Sequence, residues 1–245
     1  MFNRPDLQAL FYLILFLSPE VFADDAVHRH WQYDHSFEAL FTWESRYVTE
    51  GRDILDGAGV QKSAIHLEYG LLFLDSWNVW GYDSEYDELN IMPGIQFEID
   101  DYTIYLSYNR KIFFVEDVVD NEIEIGMTYE DLPYGIFTAI AWYHSFLTDG
   151  AFLEFTLGSE VYISERVEIE PVVVLGINNN YIPDGHDGLN HLSLELNAEY
   201  QLVGPLELVA FARYSKAIDS NPAEHPGDKL LNDFFWGGVG IEFSF

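Results

Sequence analysis

The sequence predicts an all-β protein, a transmembrane antiparallel β-barrel of about 12 strands. Three observations carry this. Apolar and polar side chains alternate through most of the chain, the period of a strand. The connections between these runs are by turns long and short, the rhythm of a barrel with short periplasmic turns and longer outer loops. The final run, Phe234–Phe245, keeps one face apolar to its last residue. A strand can do so when it pairs with the first strand and faces lipid.

Residues 1–23 read as an export signal. Arg4 supplies positive charge, Leu10–Leu17 is an unbroken apolar run, Pro19 breaks it, and Val21-Phe22-Ala23 fits a peptidase site. The run is too short to span a bilayer as a helix. Residues 24–35 are polar and form a short periplasmic lead-in, leaving 36–245 for the barrel.

Within the barrel the alternation predicts strands over 36–48, 61–70, 72–82, 87–99, 101–113, 121–131, 134–146, 150–162, 165–178, 188–201, 204–216 and 232–245. In 121–130, Ile123, Ile125, Met127 and Tyr129 oppose Glu122, Glu124, Gly126, Thr128 and Glu130. In 166–178, Val167, Ile169, Val173 and Leu175 share a face, with Glu168 and Glu170 on the other. In 189–201, Leu192, Leu194 and Leu196 oppose Ser193, Glu195, Asn197 and Glu199. A helix would scatter these glutamates all round its axis. The third strand is the least regular, because Trp77, Trp80 and Tyr82 do not separate by face. Aromatics near strand ends (Trp43, Tyr69, Tyr102, Tyr129, Tyr134, Trp142, Tyr200 and Phe245) fit interfacial girdles. The rival is a soluble β-sandwich with one face in a core and one in water. The broad apolar faces and the loop rhythm count against it.

Composition bounds function. The chain has 42 acidic and 11 basic residues, a formal net charge of −31, and no cysteine. Thiol chemistry and disulfides are excluded. Binding to nucleic acid backbones is disfavoured, and cations or basic solutes are favoured.

The face that is not apolar places acidic groups in the lumen: Glu38, Glu68, Glu122, Glu124, Glu168, Glu170, Glu195 and Glu199, together with Glu154, Glu207 and Glu242. Arg46, Lys111, Arg166 and Arg213 are their candidate partners on the walls. In a water-filled bore such rings select by sign. In a packed one, unpaired carboxylates would take protons or find arginines. A strand number near 12 lies between filled and wide barrels and leaves both open. Simple solvation of the lumen, without selectivity, also stays open.

The outer connections are acidic too, with Glu50, Asp53 and Asp56, then Asp83, Glu85, Asp87 and Glu88, then Glu116, Asp117 and Asp120. Weak Ca²⁺ or Mg²⁺ binding there, shared with lipopolysaccharide phosphates, is the one ionic cofactor contemplated. Asp184-Gly185-His186-Asp187-Gly188 has turn chemistry but lacks calcium-loop spacing. No nucleophile is marked. His144 and Ser145 are strand neighbours and point apart, while His191 and Ser193 share a face about 7 Å apart.

Phe41–Arg52, with Ser45, Tyr47 and Gly51, and the terminal aromatic strand Phe234–Phe245 resemble a family of uncharacterised proteobacterial outer-membrane porin-like β-barrels; Glu50 stands where those often have arginine. The resemblance implies residence in the outer membrane of a Gram-negative bacterium and assembly by the barrel-assembly machinery. It also implies a porin-like role, and brings no catalytic residues. The expectation is passive diffusion of small solutes, cation-preferring through the acidic lumen. The alternatives are an outer-membrane barrel enzyme acting on phospholipid or lipopolysaccharide, and a non-conducting surface barrel.

Overall fold

The computed structural model describes residues 35–82 and 84–245. The export signal and nearly all of the lead-in lie outside them. The barrel strands, numbered in chain order, are β1 His35–Glu44, β2 Val60–Tyr69, β3 Leu72–Gly81, β4 Asp87–Ile99, β5 Tyr102–Phe113, β6 Val118–Leu132, β7 Ile136–Ser145, β8 Gly150–Ser159 continuing as Val161–Ser164, β9 Val167–Asn179, β10 Gly188–Val203, β11 Leu206–Ala217 and β12 Phe234–Ser244. Each pairs antiparallel with its neighbours, and β12 returns to pair with β1. The result is a closed 12-strand barrel, the fold the alternation predicts.

Closure runs from Glu38 opposite Ser244 to Glu44 opposite Gly238. At the short-turn end Phe37 and Phe245 exchange backbone hydrogen bonds of 2.8 and 3.0 Å. Full closure leaves no sheet edge, so every strand satisfies its backbone without water, the condition for crossing hydrocarbon.

The two faces sort as the period of two requires. Leu67, Leu74, Ile91, Phe97, Leu106, Ile125, Leu194, Leu196, Val239 and Ile241 are exposed on the outer surface. Tyr69, Tyr102, Tyr134, Tyr200 and Phe245 are exposed at the short-turn end, and Trp43 and Trp142 toward the other. This apolar band with aromatic rims makes the chain a transmembrane barrel of outer-membrane type. The long connections gather at one end, which by that architecture faces outward.

Two departures from the predicted elements matter. β1 stops at Glu44 rather than running to 48. Ser45 turns the chain inward, anchored through its N–H to Gly237 O (2.9 Å) and its hydroxyl to Gly237 N (3.0 Å). The chain then forms a small hairpin, Val48–Thr49 against Arg52–Asp53. In β3, Trp77 faces Asn90 and Ala64 across the ladders and Trp80 lies three positions on, an odd separation, so both faces carry tryptophan. The inner one packs against the hairpin loop.

A cluster of buried hydrophobic residues sits inside the outer end of the bore. Tyr47, Val60 and Val79 are buried together, with Ile54, Leu55, Trp77 and Tyr86 against them. Ile54 and Leu55 are partly buried there, each gaining a share of the about 1.5–3 kcal/mol of full burial, which gives residues 45–59 a reason to fold into the barrel instead of projecting from it.

Candidate functional site: an acidic bore with a loop across its outer mouth

The bore has two zones. Toward the short-turn end, Glu38, Glu98 and Glu199 are exposed to it, and Glu68, Glu168, Glu170, Glu207 and Glu242 are partly exposed. Glu168 lies directly across from Glu199, and Glu207 directly across from Glu242. Like charges opposite one another in a ladder are unfavourable and persist where water or a counter-ion screens them. Glu68 is held by Ser36 (3.0 Å), Gln96 (2.7 Å) and His66 (3.0 Å). Glu170 accepts from Asn197 at 2.9 Å. Glu195 lies 3.0 Å from Arg213 Nε without an aligned hydrogen bond, while the Arg213 guanidinium stacks 4.3 Å over Phe211.

Nearer the outer mouth, carboxylates are held by tyrosine hydroxyls. Tyr105 donates to Glu124 at 2.5 Å, Tyr181 to Glu122, Tyr143 to Glu154, and both Tyr47 and Tyr86 to Glu88. Charge-assisted O–H···O⁻ bonds of this kind are short and strong, and they fix where each carboxylate points. Gly126 makes one of them: a Cβ there would sit 2.2 Å from the Tyr105 ring, which lies across the glycine to reach Glu124. Lys111 is the base among these acids, 2.9 Å from Glu122 and 2.7 Å from the Tyr181 hydroxyl.

Residues 45–59 cross the mouth itself. The hairpin turns at Glu50 (φ 46) and Gly51 (φ 70), the pair of positive φ values of a type I′ turn. Gly51 is required twice over, since a Cβ would lie 2.3 Å from the His191 ring. Burial pushes the Glu50 carboxyl up from its ordinary value, against the pull of Lys111 and the Thr49 hydroxyl. The adjacent Arg52, 2% exposed, is the latch. It donates to Asn190 Oδ1 (2.7 Å), Asp228 Oδ1 (3.1 Å), Gly227 O (3.1 Å) and the Glu50 carbonyl (3.2 Å). Asn190 donates to the same Glu50 carbonyl at 2.7 Å. Asp228, fully buried, also accepts from the Asn221 and His186 backbone N–H groups and from His186 Nδ1. His186 Nε2 lies 2.8 Å from the Leu189 carbonyl. Three outer connections are thereby tied together inside the mouth.

The structure rearranges several sequence assignments. Arg46 lies beyond β1 and off the wall: it pairs with Asp53 and stacks 5.5 Å over Phe234 within the mouth. Arg166 lies in a short turn. Glu88 and Asp120, read from sequence as loop acids, are buried on β4 and β6. Asp120 accepts from Ser145 Oγ at 2.6 Å. His144 is on the other face, stacked on Trp142 at 5.9 Å, so the neighbours do point apart. Asp83 lies outside the described residues. Among the described residues no group of three or more His, Asp or Glu side chains is placed to hold a metal ion. Of the acids expected in the outer connections, Glu88, Asp120 and Asp53 already have tyrosine, serine and arginine partners. Sequence reasoning did not find the Arg52–Asn190–Asp228 latch. The one signal for it was an apolar pair, Ile54-Leu55, inside an acidic loop.

No family model and no curated protein matches the sequence. Solved structures share the fold. The chain superposes on the KdgM porin in complex with disordered oligogalacturonate at a TM-score of 0.57 and 8% identity, over 86% of this chain and 99% of that one. The NanC porin gives 0.56 and 8%, over 84% and 98%. An outer-membrane channel from Pseudomonas putida F1 gives 0.53 and 6%, over 90% and 100%. The likeness is one of fold, that of outer-membrane barrels with porin-like architecture.

Proposed function

We propose that this barrel is an outer-membrane channel for passive diffusion of small solutes, that it prefers cations, and that residues 45–59 restrict its outer mouth. The observation that carries the reading is the imbalance of charge on the inner face. Carboxylates line the bore from Glu38 and Glu242 to Glu122, and few bases answer them. Low-dielectric walls focus such a field and concentrate counter-ions of the opposite sign. The shared fold with porins supports the channel itself. The oligogalacturonate of the KdgM complex is a polyanion, and an acidic bore repels one, so the cargo proposed here has the opposite charge.

Planar-bilayer recording of the purified protein tests this. Discrete conductance steps with a reversal potential displaced toward the cation potential are expected under a salt gradient. Neutralising Glu122, Glu124, Glu195 and Glu199 together moves that potential toward zero. Silence at every voltage, in the wild type and in a variant lacking the mouth loop, sinks the channel reading in favour of a non-conducting barrel.

A further inference from the structure

We propose that the part of the bore nearer the outer mouth is a binding site for a primary alkylammonium solute, formed by Glu122, Glu124 and Glu154 with Tyr143 and Tyr181, and that Lys111 is a tethered competitor for it. The proposal deepens the cation preference argued above and rests on that reading for the direction of traffic.

The chemistry is already in use at this place. The Lys111 side chain is a butylammonium group on a tether. Its Nζ lies 2.9 Å from Glu122, 2.7 Å from the Tyr181 hydroxyl and 5.5 Å from the centre of the Tyr181 ring. Carboxylate on one side and an aromatic face on another is the environment that favours an organic ammonium. The remaining groups repeat it. Tyr143 stands edge-on to Tyr181 at 5.1 Å and stacks on Phe152 at 5.6 Å. Glu154, bonded by Tyr143, feels the charges of Glu50 and Glu124. Glu122 is paired with Lys111, whereas Glu124 and Glu154 are held by tyrosine hydroxyls, which leaves a formal excess of negative charge that a second ammonium would reduce.

An independent observation points to a missing donor. Ser107 and Asn109, each 3% exposed, sit on the inner face of β5 directly across from Glu124 and Glu122. The Ser107 hydroxyl oxygen and Asn109 Oδ1 have no hydrogen-bond partner. Asn109 Nδ2 donates to Asn90 Oδ1 at 3.3 Å, and the amide oxygen left over is an acceptor. Buried acceptors are costly to leave unmade. An ammonium carries three donors, enough for a carboxylate and both of these oxygens. Tyrosine faces do not suit a hard metal ion, whose ligands are oxygens in a tight shell.

The test is calorimetric titration of butylammonium chloride into the folded barrel in detergent micelles, with potassium chloride at matched ionic strength as reference. Saturable binding is expected. The double variant Glu124→Gln with Glu154→Gln weakens it about tenfold, and Lys111→Met tightens it by about the same factor. Should Lys111→Met fail to give the heat-modifiable folded band, Ser107→Ala provides the second arm, with several-fold weaker binding expected. No saturable heat above the potassium reference, or equal affinity in the double variant, overturns the site. Water alone would then satisfy Ser107 and Asn109. Cation-selective conductance without butylammonium binding overturns this inference and leaves the channel standing. Binding without conductance supports the site and removes the channel.

Discussion

At the scale of single residues, the outer mouth depends on a charge taken out of water. Asp228 is completely buried, and burial by itself raises its carboxyl. The Asn221 N–H, the His186 ring and the His186 N–H outweigh burial and hold the group below its ordinary value of 3.8. A depressed folded value stabilises the charged latch above the ordinary value, and the contribution disappears as pH falls through the folded one. The protection of backbone amides around residues 185–190 and 226–231 against hydrogen exchange, relative to their intrinsic rates, is therefore expected to be constant from neutrality to about pH 4 and to fall below it. Asp228→Asn should exchange faster at neutral pH and lack the acid limb. A flat profile for the wild type would mean that Asp228 does not hold these loops.

At the scale of elements, the distinctive part is residues 45–59. This connection is held by two unlike attachments. One is apolar, with Ile54 and Leu55 on Val60, Val79 and Trp77. The other is ionic, through Arg52 on Asp228. Removing one partner of a buried pair typically costs about 3–5 kcal/mol because the other charge is left uncompensated. Arg52→Ala should accordingly release the hairpin while the barrel stays folded, and unitary conductance should rise. Unchanged conductance would assign the hold to the apolar attachment alone. The strands themselves were legible because a period of two needs only a local reading, and the glutamates of β6, β9 and β10 announced their face. The hairpin was not. Its anchors Asn190 and Asp228 are 138 and 176 residues from Arg52, and no local pattern links them. Tyrosine partners were hidden for a similar reason: which phenol meets which glutamate is decided by register between strands, as with Tyr105 and Glu124.

At the scale of the whole molecule, charge is the governing property. The formal net charge of −31 belongs to the full sequence, and in the barrel much of it is turned inward, where water and mobile ions moderate it. Cation preference should consequently weaken as salt rises. The screening length falls from about 10 Å at 0.1 M to about 3 Å at 1 M, from comparable with a narrow bore to much less. Reversal potentials measured at fixed salt ratio over that range report it. A preference independent of concentration would point to a single tight site instead of the field of the wall. The sign of this field was readable from composition and alternation, whereas the obstruction of the mouth was not, since strand number alone permits open and filled bores.

Phe37 and Phe245 bond across the junction of β1 and β12. Synthesis delivers these partners at widely separated times. The first hairpins can form locally, but β1 has one side unsatisfied until β12 arrives, and no partial cylinder can sit in hydrocarbon with such an edge. A protein interrupted before β12 would leave β1 with an open edge, and is expected not to insert as this barrel does.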